Sequence, residues 1–297
     1  MKDIAVTGTG IMGGHIARRL AAAGFEVTGW NRSPQKLAAL EAHGVRSGTD
    51  LPTLLAHSDA VIVMLSSGPV IDALLFDGGA DAPVASMQKG ALLVVMSSIP
   101  VETAKAQGEF AVAHGIHYID APVSGGEPGA RDGTLAIMAG AAPDAFAQAA
   151  TLFAPLGQAT HLGPVGSGQL AKLANQIIVG GTLVAIAEAL TLVERGGADP
   201  AAVRQAWMGG FADSKVLRVL GERMVSGNFE PGSPAAHQLK DMRTAAALAR
   251  GFGLELGQLN GVIEHFNAME QSGEIERDVS IVVREVGRRA RRSGGIS

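Results

Sequence analysis

Residues 4–20 read IAVTGTGIMGGHIARRL. Gly8, Gly10 and Gly13 form the pattern G-x-G-x-x-G, with Ile11 and Met12 inside it, directly after a strand-like run and at the mouth of a helical one. The chemistry is phosphate binding by backbone. The first glycine permits a tight turn, the second lets a pyrophosphate approach the main chain, and the third lets helix pack on strand. The free N–H groups and positive dipole end of the helix then favour an anion. The spacing alone is weak, but the strand–turn–helix context is what the motif requires. The segment therefore reads as a dinucleotide site rather than a plain glycine-rich turn.

The next strand ends at Trp30-Asn31-Arg32-Ser33. An NAD site usually carries Asp or Glu here for the ribose 2′-hydroxyl, and a carboxylate would repel a 2′-phosphate. Neutral Asn31 and cationic Arg32 suit NADP(H), with NAD(H) as the lesser option. Ser33 adds a hydrogen bond or caps the following helix; Arg32 read by itself is an exposed loop cation. Two later strand ends should line the same crevice, Met64-Leu65-Ser66-Ser67 and Met96-Ser97-Ser98-Ile99-Pro100. Leu65 and Ser66 fall beside the adenine and nicotinamide ribose region, Val70 opens the next helix, and Ser98 is placed for nicotinamide or substrate. The plain alternative for each is an ordinary turn or cap.

Two further segments carry chemistry. Ser124-Gly125-Gly126, within DAPVSGG, offers a hydroxyl and unhindered backbone N–H groups to a small carboxylate, or else forms a tight turn. Lys172, Asn175 and Gln176 sit at i, i+3 and i+4, so they share one helix face. Their neighbours Leu170, Leu173, Ile177, Ile178 and Val179 are apolar. A lysine in such surroundings is costly unless it has partners or a task. Near a carbonyl its ammonium donates a proton as hydride arrives, and the neutral amine accepts one in reverse; read alone it is a snorkelling helix residue. Asn175 or Gln176 would orient substrate. Lys240, in His237-Gln238-Leu239-Lys240-Asp241, either reaches a cleft or pairs with Asp241 at the surface.

These residues must be positioned by elements, and the chain shows two textures. Up to about Pro164, apolar strand-like runs alternate with helical stretches: Ile4–Thr7, Glu26–Trp30, Ala60–Leu65, Ala91–Met96, Tyr118–Ile119 and Leu135–Ala139 against Met12–Ala23, Pro34–His43, Val70–Phe76, Val101–His114 and Pro143–Phe153. Such alternation predicts a parallel sheet covered on both faces. Beyond it only helical patterns follow, Gly168–Arg195, Pro200–Met208, Lys215–Met224, Pro234–Gly251, Leu256–Gln271 and Glu276–Arg289. The expected fold is an α/β Rossmann-type N-terminal domain, residues 1–163, plus an all-α C-terminal domain, residues 164–297. The run Arg288 to Gly295 reads as a frayed basic end.

Composition narrows the class. The chain has 297 residues, 47% hydrophobic and 18% charged, enough for two cores. It has no cysteine, which excludes disulfides, thiol catalysis and iron–sulfur clusters. A net charge of -4 and 4% aromatics argue against nucleic acid. No signal-peptide core follows Met1-Lys2-Asp3, and the apolar stretch Leu173–Ala187 reads as a buried core helix rather than a membrane span. A cytoplasmic protein without membrane partners is expected. His114 and His117 sit at i, i+3 without a third ligand in sequence, no H-E-x-x-H, Walker A loop or Gly-x-Ser-x-Gly elbow is present, and the expected reaction needs no metal.

The motifs GTGIMG, MLSS, SSIP, DAPVSGG with GTLAIMAG, GSGQLAKLANQ and HQLKD occur in this order. Together they resemble the β-hydroxyacid dehydrogenase family, which includes 3-hydroxyisobutyrate dehydrogenases and tartronate, glyoxylate and succinic semialdehyde reductases, and more distantly 6-phosphogluconate dehydrogenase. The resemblance runs from Ile4 to about Arg284. It implies reversible conversion of a small β-hydroxyacid, a carboxylate-bearing alcohol, to its semialdehyde. It implies Lys172 as catalytic lysine, Ser124-Gly125-Gly126 as substrate-anion site and Lys240 as a cofactor or pocket contact. Some relatives have Asn where Gln176 stands, which leaves open the amide that meets substrate. Imine reductases look similar around the glycine loop and Trp30-Asn31-Arg32-Ser33 but usually lack the lysine. A non-catalytic nucleotide sensor is the remaining alternative, opposed by Lys172 and Ser124-Gly125-Gly126. The apolar face Ile177–Leu192 suggests a homodimer or homotetramer. Phe211, Ser214 and Phe229 are candidates for the pocket wall.

Overall fold

The computed structural model describes residues 1–230 and 232–293. The chain divides into two compact units, Met1–Lys172 and Leu173–Ser297.

Among the described residues of the first unit, nine strands form one sheet: β1 (Asp3–Thr7), β2 (Glu26–Trp30), β3 (Val45–Ser47), β4 (Ala60–Val63), β5 (Leu92–Val95), β6 (His117–Asp120), β7 (Val123–Ser124), β8 (Leu135–Ala141) and β9 (Gly157–Gly163). The order is β3-β2-β1-β4-β5-β6-β8-β7, with β9 also on β8. The six strands from β3 to β6 pair in parallel. The doubly covered sheet follows from the pleat. Ile4, Val6, Ile62, Leu92 and Val94 face one core, while Ala5, Val61, Val63, Leu93 and Val95 face the other. Successive side chains point to opposite faces, so a strand buried on both reads as a continuous apolar run.

Helices cover both faces. On the first lie α1 (Ile11–Ala22), α2 (Gln35–Glu41), α6 (Gly126–Asp132), α7 (Pro143–Gln148) and α8 (Ala150–Phe153); on the second, α3 (Leu51–Ala56), α4 (Gly68–Ile71) and α5 (Val101–Ala113). Three expectations need correction. The sheet is not wholly parallel, because β8 runs antiparallel to β6 and β7. The helix expected to open at Val70 begins at Gly68 and passes into a π-helical turn, Asp72–Phe76. The stretch Pro143–Phe153 is two helices.

The helix α9 (Ser167–Arg195) begins in the first unit and continues into the second. There follow α10 (Pro200–Trp207), α11 (Lys215–Ser226), α12 (Ala235–Gly251), α13 (Gly257–Gln271) and α14 (Val282–Ser293). Among the described residues after Leu173 the only strand-type pairing is one bridge, Pro234 to Asp278. Asp199 caps α10 by accepting from the Ala201 N–H at 3.0 Å, with Pro200 in the first turn. Helix α9 is a core helix on one face only: Leu183, Ala187 and Leu190 are buried, while Ile178 and Leu192 are 68% and 75% exposed. The chain end is not frayed from Arg288. Helix α14 runs to Ser293, and Arg288 pairs with Glu274 at 2.6 Å and Glu285 at 2.9 Å. Gly294 and Gly295 lie outside the described residues.

Candidate active site

The first unit gathers its candidate residues at the carboxyl ends of β1, β2, β4 and β5. The Gly8 N–H donates to the Trp30 carbonyl at 2.9 Å, which ties the glycine turn to the end of β2. Gly8 has φ +91°, and a β-carbon there would stand 2.2 Å from the Met64 carbonyl oxygen. Gly13 is held as tightly, against the Gly8 carbonyl oxygen. Gly10 differs. Its backbone is extended, φ −71° and ψ −160°, and a β-carbon would meet nothing within 4 Å. The fold itself therefore demands glycine at the first and third positions, and the second stays open toward whatever lies above the turn. Helix α1 starts at Ile11 with no side-chain cap and no acid in its first turn. Ile11 is exposed and Met12 half-buried. This cradle fits a dinucleotide pyrophosphate.

Asn31 is fully engaged in shaping its turn. Its Nδ2 donates to Thr9 Oγ1 at 3.1 Å, and its Oδ1 accepts from the Ser33 N–H at 2.9 Å. The side chain thus braces the glycine loop against the β2 exit and leaves Arg32 exposed at the tip. At the β4 exit the Leu65 N–H donates to Ser97 Oγ at 2.8 Å, which joins the two later strand ends. Ser66 and Val70 are exposed, Leu65 and Ser98 half-buried.

Ser124 closes β7 opposite Ala136 of β8. Gly125 and Gly126 follow with φ +137° and +63°, a left-handed turn only glycine enters readily. The segment hangs from β8.

The start of α9, which carries Lys172, is anchored by residues to which sequence reasoning gave no role. Asp120, at the end of β6, accepts from the Gly166 N–H at 2.7 Å and the Gln169 N–H at 2.8 Å. Burial pushes its carboxyl from 3.8 up to about 6, against the pull of these backbone donors. The Gln169 side chain accepts from the Ile99 N–H at 3.0 Å and donates to the Ser97 carbonyl at 2.9 Å. The only sequence signals were an acid ending an apolar strand and an amide in the first turn of an apolar helix. Lys172 itself is half-buried, three residues further along.

In the second unit, Gln176 Nε2 donates to Gln238 Oε1 at 3.1 Å and to Asp241 Oδ2 at 3.0 Å. Gln238 returns a bond to the Gln176 carbonyl at 3.1 Å. Lys240 pairs with Asp241 at 3.3 Å. Gly180 lets α12 approach α9 here: a β-carbon on it would stand 2.8 Å from Gln238 Nε2 and 3.2 Å from Met242 Sδ. Asn175 behaves differently from Gln176: its Oδ1 is buried without a hydrogen-bond partner among the described residues. Of the suggested wall residues, Phe229 is buried with Arg284 4.6 Å over its ring, Ser214 caps α11, and Phe211 is exposed. Among the described residues no group of three or more acids and histidines is placed to hold a metal.

A glycine turn at the β1 end, in a parallel-dominated sheet followed by an all-α unit, defines a dinucleotide-binding protein of the two-domain Rossmann type. The model of the NAD-binding domain of 6-phosphogluconate dehydrogenase matches residues 3–166, and that of the NAD-binding region of NADP-dependent 3-hydroxyisobutyrate dehydrogenase matches residues 166–286. The chain belongs to the β-hydroxyacid dehydrogenase family. It is 39% identical over 280 residues to the 2-hydroxy-3-oxopropionate reductase of Escherichia coli K12, covering 93% of this chain and 94% of that protein. The structure of Mycobacterium tuberculosis 3-hydroxyisobutyrate dehydrogenase with L-serine matches at TM-score 0.85 and 28% identity, covering 96% of this chain and 98% of that one. That of 3-hydroxyisobutyrate dehydrogenase from Salmonella typhimurium matches in fold at TM-score 0.88 and 23% identity, covering 96% and 99%.

Proposed function

We propose that the protein is an NADP(H)-dependent reductase that interconverts a small β-hydroxyacid and its semialdehyde. The observation that carries this reading is the α9 face. Lys172 and Asn175 lie one turn apart, and Asn175 Oδ1 is a buried acceptor with no hydrogen-bond donor among the described residues. An unmet buried acceptor is costly, so it suits a substrate donor. Gln176 is held by Gln238 and Asp241, which leaves Asn175 as the amide for the substrate hydroxyl.

Bound nicotinamide supplies or accepts the hydride. Every other task falls to the chain. Gly10 and the first turn of α1 receive the pyrophosphate, and Arg32 at the braced Asn31 turn meets the 2′-phosphate. Ser33, Leu65, Ser66, Val70 and Ser98 line the nucleotide. Ser124, Gly125 and Gly126 hold the substrate carboxylate. Lys172 hydrogen-bonds the carbonyl oxygen, gives it a proton on reduction, and takes the alcohol proton in reverse. Lys240, paired with Asp241, is the cofactor contact assigned to the second unit. Residues 1–163 serve the nucleotide, and 164–297 serve substrate and subunit contacts. The exposure of Ile178 and Leu192 supports a homodimer or homotetramer, which light scattering tests.

The decisive experiment measures oxidation of NADPH and NADH with succinic semialdehyde, glyoxylate, tartronate semialdehyde and methylmalonate semialdehyde. Turnover with NADPH favoured is the expected result. A preference for NADH would remove the Arg32 role. Reduction of cyclic imines alone, or nucleotide binding without any turnover, would overturn the reading.

A further inference from the structure

Two buried polar side chains of the first unit meet at the first turn of α9. Asp120 and Gln169 each have 0% exposure. The Asp120 carboxylate spends one oxygen on Gly166 and the other on Gln169, so it grips the turn at two successive points. The Gln169 amide spends its oxygen on Ile99 and its nitrogen on Ser97, so it spans the peptide links on both sides of Ser98. The seat admits nothing larger than hydrogen beside it. A β-carbon on Gly140 would stand 2.5 Å from Asp120 Oδ1, and one on Gly168 would stand 2.3 Å from the Met138 carbonyl oxygen.

We propose that Gln169, with Asp120 behind it, is a positioning residue for proton transfer: it fixes the Lys172 turn and the Ser98 turn to each other. Gln169 is three residues before Lys172, a rise of about 4.5 Å along one helix face. Its backbone N–H is held by β6 and its side chain by the β5 exit, so it sets both the height and the rotation of the turn that bears the lysine. The inference rests on the reading of Lys172 as acid and base. Misplacement of a catalytic group by about 1 Å costs about 10²-fold in rate, so a loose anchor shows in kcat before it shows in binding.

The test is a double-mutant cycle on kcat with Gln169→Leu, Lys172→Ala and both together, each checked for folding by thermal melt. Gln169→Met, which keeps the length of the side chain and removes both of its hydrogen bonds, serves as the second variant should the leucine variant not fold. The expected result is a kcat lower by about 10- to 100-fold in either Gln169 variant, with semialdehyde KM and NADPH affinity changed by less than about threefold. In the Lys172→Ala background the Gln169 change should cost almost nothing more, because it acts through the lysine. A wild-type kcat in a folded Gln169 variant beside an inactive Lys172→Ala would overturn the positioning role alone. So would losses that multiply in the double variant. Wild-type turnover in Lys172→Ala would overturn the parent reading, and this one with it.

Discussion

A β-carbon on Gly13 would stand 2.0 Å from the carbonyl oxygen of Gly8, whereas one on Gly10, between them, would touch nothing. Three glycines of one motif thus answer to different demands. Gly13→Ala is expected to cost about 1–3 kcal/mol of stability by overpacking. Gly10→Ala is expected to cost less than about 0.5 kcal/mol, as surface changes do, yet to weaken NADPH binding at least about tenfold by blocking close approach. Urea unfolding and nucleotide titration of the two variants separate these effects. Undiminished NADPH affinity in Gly10→Ala would place the pyrophosphate elsewhere.

Arg32 is exposed at the tip of a turn that Asn31 holds from both ends. Arg32→Glu should therefore leave the melting temperature unchanged. It should lower the ratio of kcat/KM for NADPH over NADH by at least about tenfold, since a carboxylate repels a 2′-phosphate. An unchanged ratio would mean that Arg32 does not face the nucleotide.

Lys172→Ala should lower kcat by about 10²- to 10⁴-fold, the range for loss of a general acid–base. NADPH affinity should change little. Lys172→Arg should be nearly as slow, because a guanidinium does not release its proton near neutral pH. Rapid turnover in the arginine variant would argue for a purely electrostatic role.

Asp120 gives the protein a pH signature. In the fold its carboxyl sits at about 6, above the ordinary 3.8. The native state therefore binds this proton more tightly than the unfolded chain does. Its stabilising effect is full below about pH 4 and is lost as pH rises through about 6, on the order of 3 kcal/mol in all. Asp120→Asn does not titrate. The gap in unfolding free energy between wild type and variant should then shift in the variant's favour between about pH 4 and 7. A gap independent of pH would contradict the assignment.

Much of this was legible because buried parallel strands advertise themselves. β1, β4 and β5 are apolar on both faces and stand out in sequence. The strands that escaped notice, β3, β7 and β9, are short or largely exposed, so nothing selects an apolar run there. The same logic governs the site. Gly8, Asn31 and Lys172 belong to spacings with a known chemical use. Gln169 and Asp120 do their work through contacts 70 and 46 residues away in the chain, a relation that no local pattern encodes. Lys240 and Asp241 show the reverse case: their adjacency was visible, and the ion pair formed.

The seat of α9 also sets an order of events during synthesis. The glycine turn is framed by Trp30, Met64 and Leu65, so these walls lie within the first 65 residues. The turn that bears Lys172 is fastened by Ser97, Asp120, Gly140 and Gly168. Both belong to the unit Met1–Lys172, so a chain that emerges amino end first has made every wall of the glycine turn about a hundred residues before the turn that bears Lys172. The turn that bears Lys172 is thus the last part of the first unit to be synthesised, and it comes into being beside partners that the chain has already made.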